Sequence, residues 1–410
     1  MQEIKLFGEN MLNKEKTHAY LEEKLSLPGY YGKNLDALWD CLSTDISQKN
    51  IVIYNPVKII ENLGPYGKSL INIFLKASKE NNFIKLEFKD LTRERKIMNK
   101  KISKICVYGI GGVGGYFGGI IADRIKNRIL PMEAYFIGSG KHLQAVQKNG
   151  LTIITDAGRI HCFPNIATDS VKNISQPDLY ILCIKGYDLA NAAESISKKC
   201  TENTIILPLL NGVDIYNRIR SVIRRAITLP SAVYISSNIE KPGIIRQRGP
   251  EGYIVSGKDP EYLKGNYQKI IDFFQKIGLK YNWYANPYPA IWEKFIFIAP
   301  FSLVTAYSGR TIGEVLADDK LKEMTKSIMN EVVLIGKVQN ILFDEDMVQK
   351  TIRKAEKFPY ETKTSFQRDY ERDRNRHEGD IFGGVLIRLA EKHGISIPAT
   401  RKIYESLIGS

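Results

Sequence analysis

Three groupings in this 410-residue chain have residue types and spacings that suit chemistry. The first is Gly109-Ile110-Gly111-Gly112-Val113-Gly114. It follows the apolar run Ile105-Cys106-Val107-Tyr108 and precedes small and apolar residues at helical spacing (Tyr116, Phe117, Ile120, Ile121). In a strand–turn–helix context the first glycine of G-x-G-x-x-G permits the tight turn, the second lets a pyrophosphate approach the backbone, and the third lets helix and strand pack closely. The helix N-terminus then faces the phosphates, so the turn predicts nucleotide binding. The second grouping is Lys294 within a stretch of aromatic and aliphatic residues, where desolvation lowers a lysine pKa towards the range useful for proton transfer. The third is Asp36 with Asp40, which at i and i+4 share one helix face and can meet one partner. Each also has a plainer reading: a glycine turn without a ligand, a lysine snorkelling to solvent, a solvated helix face.

The elements that must position these groups divide the chain into parts. Residues 1–90 predict a small α/β unit. Its expected order is a short strand (Ile4, Leu6), a helix over 18–27 broken by Pro28-Gly29, a helix N-capped by Asn34 and carrying Leu35, Leu38, Trp39 and Leu42, a buried strand over 51–54, an amphipathic helix over 70–77 and a closing strand over 84–88. Residues 91–103 are charged and nearly without core residues, which predicts a linker or an exposed helix extension. From 104 to about 285, expected strands at 134–137, 179–184, 204–207 and 252–256 alternate with helices, the pattern of a mostly parallel sheet covered on both faces. Residues 286–410 read as helical throughout. Pro300 lies inside one of these helices, removes a backbone hydrogen bond and predicts a kink.

The net charge of +14 lies wholly beyond residue 90: residues 1–90 hold 12 Lys/Arg and 12 Asp/Glu, the remainder 47 and 33. A basic body suits a pocket that attracts a phosphorylated cofactor and a carboxylate substrate. No basic run with interleaved aromatics is present, so nucleic acid is not an expected partner. The longest apolar stretch, 295–306, is shorter than a bilayer span, and residues 1–5 have neither a basic n-region nor an apolar h-region. The five cysteines form no C-x-x-C pair and read as reduced thiols. These features predict a cytoplasmic protein with no membrane partner and no bound metal.

Four further segments occur in order: Cys183-Ile184-Lys185-Gly186-Tyr187-Asp188, Leu207-Pro208-Leu209-Leu210-Asn211-Gly212-Val213, Trp292-Glu293-Lys294-Phe295, and Glu378-Gly379-Asp380 with Gly383. Together with the glycine turn they resemble the 2-dehydropantoate 2-reductase (ketopantoate reductase) family over about residues 104–408. The resemblance implies a Rossmann-type doubly wound sheet followed by an all-α domain. It implies NADPH as cofactor, bound at Gly109 to Gly114, and reduction of ketopantoate or a related 2-oxo acid to the 2-hydroxy acid, a step of pantothenate biosynthesis if the substrate is ketopantoate. It makes Lys294 the proton donor and sets Glu378 near it, anchoring substrate or the lysine's charge. It places Asn211 at the nicotinamide end of the cofactor beside Lys294, and Lys185 towards cofactor or substrate carboxylate. A homodimer is an expected assembly.

Two departures refine this. The family often carries asparagines four and eight residues beyond the catalytic lysine, where this chain has Ile298 and Ser302. These positions share a helix face with Lys294. Ser302 is expected to keep a substrate contact, and Ile298 makes the pocket more apolar and points to another 2-oxo acid or a 2-oxo ester. Ser139 stands where the family commonly has an arginine for the 2′-phosphate of NADPH. Ser139 and Lys141 remain to hold a phosphate, and no acidic residue there favours a bare ribose.

The segment Tyr30-Tyr31-Gly32-Lys33-Asn34-Leu35-Asp36-Ala37-Leu38-Trp39-Asp40-Cys41-Leu42 resembles barstar, the intracellular inhibitor of barnase-type ribonucleases. That resemblance implies a basic ribonuclease as partner. Asp40 is then the leading phosphate mimic, with Asp36, Tyr30, Tyr31, Gly32 and Asn34 around it. Against inhibition stand the neutrality of residues 1–90, which forgoes electrostatic steering, and Ala77 where the family often shows a carboxylate. The rival account of the whole chain makes this unit the active part and the reductase body a scaffold or nucleotide sensor.

Overall fold

The computed structural model describes residues 2–90, 101–262 and 265–409. They form two compact units, one within 1–100 and one within 101–410. Most of the expected linker, 91–100, lies outside the described residues.

The first unit runs β1 (Gln2–Phe7), α1 (Lys14–Leu25), α2 (Leu35–Ser43), β2 (Lys49–Tyr54), α3 (Pro56–Leu63), α4 (Pro65–Glu80) and β3 (Ile84–Lys89). The strands form a parallel sheet in the order β1-β2-β3. Leu21, Leu38, Ile51, Ile53 and Phe74 meet in its core. Asn34 caps α2 as expected, its side chain accepting from the Ala37 N–H at 2.8 Å. The sequence reading missed α3, although Pro56 at its first position is a common helix-start signal.

The second unit opens with β4 (Lys104–Tyr108), α5 (Gly112–Asn127), β5 (Glu133–Ile137), α6 (Gly140–Asn149), β6 (Leu151–Thr155), β7 (Gly158–Cys162), β8 (Ile166–Thr168), β9 (Leu179–Leu182), α7 (Leu189–Ser197), β10 (Ile205–Pro208), α8 (Ile215–Val222), β11 (Ile227–Thr228), β12 (Ser231–Lys241), β13 (Ile244–Gly257), α9 (Gln268–Ile277) and β14 (Tyr281–Tyr284). Six strands make an all-parallel sheet in the order β8-β5-β4-β9-β10-β11. Counted along the chain, this is the 3-2-1-4-5-6 order of the doubly wound dinucleotide fold, and the order reverses between β4 and β9. Alternation feeds two cores from one sheet: Ile105 and Val107 pack with Phe117, whereas Cys106 and Tyr180 pack with Trp292 and Phe295.

The expected strand at 252–256 is real but belongs elsewhere. It is part of β13, which pairs antiparallel with β12 and parallel with β6 and β14 in a second, mixed sheet. The β6–β13 pairing joins Thr152 to Ile244. Local alternation carries no signal for so distant a partner.

The remainder is helical: α10 (Tyr288–Ser308), α11 (Ile312–Ala317), α12 (Asp319–Val338), α13 (Met347–Ala355), α14 (Ser365–Arg372), a π-helical turn at Asp380–Gly384, α15 (Val385–His393) and α16 (Pro398–Ile408). The apolar stretch 295–306 is longer in structure than in sequence. It sits in the 21-residue α10, which runs on through Pro300 and is long and apolar enough to cross a membrane by length and composition. Phe295, Ile296, Phe301 and Leu303 on it lie in the core shared with the sheet.

Candidate active site

Adjacent parallel strands deliver the chemistry-bearing segments to one edge of the sheet. The glycine turn follows β4, Lys185 follows β9 and Asn211 follows β10, around the crevice where such sheets bind ligands. The turn is built as its spacing predicts. Gly109 has φ +93°, and a Cβ there would lie 2.7 Å from the Cys183 carbonyl oxygen. A Cβ on Gly114 would lie 1.8 Å from the Gly109 carbonyl oxygen, which enforces the close helix–strand packing. Gly111 faces open space, with nothing within 4 Å of a built Cβ. Ile110 is buried and anchors the turn, Val113 packs on the same core, and Gly112 backs onto the Ser237 carbonyl.

No side chain caps the start of α5, and its first turn holds no acid. The helix N–H groups are thus left for an anion. Ser139, exposed after β5, makes no capping bond, and Lys141 beside it is exposed. An open glycine, an uncapped helix start and a basic residue without a neighbouring acid fit a nucleotide cofactor.

Lys294 projects from α10. Its ammonium donates to Asn211 Oδ1 at 2.7 Å and to the Val233 carbonyl at 2.6 Å, and stands 5.4 Å from the centre of the Tyr234 ring. Among the described residues no carboxylate forms an ion pair with it. Burial and then the charge of Lys354 bring its pKa down from the ordinary lysine value to about 7. An ammonium has three N–H donors, so with two engaged one remains. Beside it is a narrow cleft of about 10 Å³ lined by Asn211, Ser231, Phe295 and Ile298 among others.

Lys185 is pushed the other way. Burial alone would lower its pKa, but Glu378 and Asp369 outweigh burial and hold it above the ordinary value. Its ammonium bonds Glu378 Oε2 at 2.8 Å and Asp369 Oδ2 at 2.5 Å. Glu378, only 6% exposed, also accepts from the Gly186 N–H at 2.9 Å.

Three expectations change here. Glu378 does not sit against Lys294: it is held by Lys185 and the Gly186 backbone, just ahead of the π-helical turn. Lys185 does not stand open to a ligand carboxylate, because two protein carboxylates already engage it. Ser302 does not line the cleft. It is fully buried and its Oγ has no hydrogen-bond partner, so of the two departures only Ile298 faces the cleft. The sequence reading missed Asp369, Val233, Tyr234 and Lys354. Asp369 carries no motif of its own, and Val233 acts through its carbonyl, which no side-chain pattern reveals.

In the first unit Tyr30 is 86% exposed, and Asp36 and Asp40 are exposed on α2 with no ion pair among the described residues. Tyr31 is the exception to the expected partner face. It is buried, with its hydroxyl bonded to His18, whose other ring nitrogen bonds Tyr66. Asn34 is spent on its cap, and its amide nitrogen reaches the Gly32 carbonyl at 3.3 Å.

Comparison with known proteins follows this division. Residues 105–261 match the family model described as ketopantoate reductase PanE/ApbA, residues 287–409 that of its C-terminal part, and residues 1–91 that of barstar (barnase inhibitor). A 2-dehydropantoate 2-reductase of Streptococcus pyogenes is 24% identical over 306 residues, covering 73% of this chain and 95% of its own. The crystal structure of 2-dehydropantoate 2-reductase from Porphyromonas gingivalis aligns with TM-score 0.64 at 26% identity, over 75% of this chain and 100% of that one. D-mandelate dehydrogenase in a ternary structure with NADH and anilino(oxo)acetate shares the fold, with TM-score 0.66 at 19% identity over 75% of this chain and 97% of that one. With the doubly wound sheet, the glycine turn and the Lys294–Asn211 pair in place, the chain belongs to the ketopantoate reductase family of oxidoreductases, carried behind a barstar-family domain.

Proposed function

We propose that residues 101–410 reduce the C2 ketone of a small 2-oxo acid, ketopantoate or a close relative, with NADPH as reductant. The observation that carries this is Lys294: a lysine brought to a pKa of about 7, held by two neutral acceptors, with one N–H left beside a small cleft. A bound nicotinamide cofactor supplies hydride to the ketone carbon. The glycine turn and the start of α5 would hold its phosphates, and Ser139 and Lys141 its ribose end.

Negative charge then develops on the ketone oxygen, and Lys294 meets it with a proton. A lysine with a pKa near 7 is charged in a useful fraction at neutral pH and gives up its proton more readily than an ordinary one. Asn211 fixes the ammonium through its oxygen, which leaves its amide N–H groups free to donate. Ile298 presents a methyl-bearing wall where an amide would recognise a hydroxyl, which favours substrates with a branched or aromatic side chain. Lys141 and the absence of an acid beside it favour NADPH over NADH. The test is absorbance at 340 nm with each cofactor and a panel of ketopantoate, branched, aromatic and unbranched 2-oxo acids. Turnover of at least one acid supports the reading, and absence of turnover with both cofactors contradicts it.

For the first unit we propose docking of a basic protein of the barnase type. The exposed trio Tyr30, Asp36 and Asp40 favours this, since an aromatic anchor beside unpaired carboxylates suits a cationic pocket. Calorimetric titration of the full chain with such a ribonuclease should show binding that weakens by tenfold or more in Asp40→Ala. Equal binding by both proteins would contradict the assignment of this face.

A further inference from the structure

Helix α13 carries three cations with different fates. Lys350 pairs with Asp344 and Asp346, and Arg353 pairs with Asp346. Lys354, next in sequence and exposed, makes no ion pair among the described residues. Its ammonium stands 5.9 Å from the centre of the Tyr234 ring and 6.0 Å from that of Phe297. Tyr234 is the ring that Lys294 also faces, at 5.4 Å.

That ring is fixed from both sides. It stacks on Tyr253 with centroids 4.6 Å apart, and its hydroxyl donates to the Ala290 carbonyl at 3.2 Å. Phe297 stacks on Phe358 at 5.3 Å and lies three residues beyond Lys294 on α10, hence on a neighbouring face. Two ammonium groups therefore converge on one rigid aromatic ring, neither making an ion pair among the described residues, although the exposed Glu293 carboxylate also acts on that ring. A ring face attracts each cation by only about 0.5–1 kcal/mol at an exposed site, and the two charges repel. An anion that joins them relieves that repulsion.

We propose that Lys354, which stands outside the lining of the cleft but shares the Tyr234 ring with Lys294, is the specificity residue that receives the substrate's carboxylate, so that the site selects 2-oxo acids over their esters and amides. This rests on the reductase reading for the identity of the ligand but not for its test. Lys294 has its proton-donating task at the ketone oxygen and Lys185 is neutralised by Glu378 and Asp369, whereas Lys354 faces the same ring as Lys294, and Lys280 lies one ring further off, against Tyr253. Its charge also contributes to lowering the Lys294 pKa, so an arriving carboxylate would act on both lysines.

The experiment is calorimetric titration of the full-length protein with oxamate, an unreactive 2-oxo acid analogue, and with its uncharged ester methyl oxamate, in wild type, Lys354→Met and Lys354→Arg. Loss of a charge-assisted contact should weaken oxamate binding about tenfold or more in Lys354→Met. Lys354→Arg should restore most of it, and methyl oxamate should bind all three proteins alike. Oxamate binding equal in wild type and Lys354→Met, or no oxamate binding to wild type, overturns the proposal. If no 2-oxo acid is turned over yet oxamate still distinguishes Lys354→Met, the reductase reading fails and the carboxylate site stands.

Discussion

Lys294 and Lys185 show how one site moves two like residues in opposite directions. Burial first and then the charge of Lys354 disfavour the charged form of Lys294, which no carboxylate among the described residues offsets; Lys185 meets two carboxylates, so its charged form is held. The consequence is a pH profile. A proton donor must be charged in the free enzyme, so kcat/KM should be level below neutrality and fall as pH rises through about 7. In Lys354→Met the removal of a like charge should move that fall to higher pH. A profile with no fall below pH 9 would contradict Lys294 as the donor.

At this scale the sequence was readable where residue type alone decides. Lys294 and Asn211 were expected together and are bonded, and Gly109 and Gly114 make the tight turn and the close helix–strand packing their spacing implies. It was not readable where direction decides. Tyr30 and Tyr31 are adjacent aromatics, and only the backbone bond from the Tyr31 N–H to the Pro28 carbonyl at 2.8 Å belongs to the turn that sends one outward and the other to His18. Glu378 was expected beside the wrong lysine, because order along the chain does not show which cation a buried carboxylate meets.

Among elements, the parallel sheet matters most, since it lays three loop starts side by side. The join between β4 and α5 is the least tolerant part of it. A methyl group at Gly114 would lie 1.8 Å from the Gly109 carbonyl oxygen and 2.8 Å from Cys183 Cβ, closer than any relaxation of a side chain can mend, because the Gly109 oxygen is backbone. Gly114→Ala should therefore lower the melting temperature of the second unit and weaken NADPH binding at least about tenfold, the turn being displaced from the helix start that faces the phosphates. Unchanged affinity, by fluorescence titration, would show that the cofactor does not use this turn. The strand–turn–helix was legible because its signal is local. The mixed sheet was not, because β12 was not expected at all and β13 pairs not only with β12 but with β6, joining Ile244 to Thr152 far back along the chain. Asp369 shows the same limit: nothing in its place along the chain reveals that it turns to Lys185 from α14, on which Phe366 and Gln367 are buried.

At the scale of the whole molecule, charge separates the two units as clearly as fold does. Residues 1–90 are neutral, whereas residues 101–410 hold 43 Lys/Arg and 32 Asp/Glu, a net +11, which suits the second unit to anionic ligands and leaves the first with little general attraction for a basic protein. Any ribonuclease docking must therefore depend on the local carboxylates of α2. The central claim concerns the second unit: hydride passes to the C2 carbon of a 2-oxo acid while Lys294 protonates its oxygen. The most direct measurement is mass spectrometry of the 2-hydroxy acid formed from NADPH dideuterated at C4 of the nicotinamide, in wild type and Lys294→Ala. The account predicts one deuterium at C2 of the wild-type product and a rate of labelling lower by about 10²–10⁴ in Lys294→Ala. A product without deuterium, or labelling at equal rates in both proteins, would contradict it.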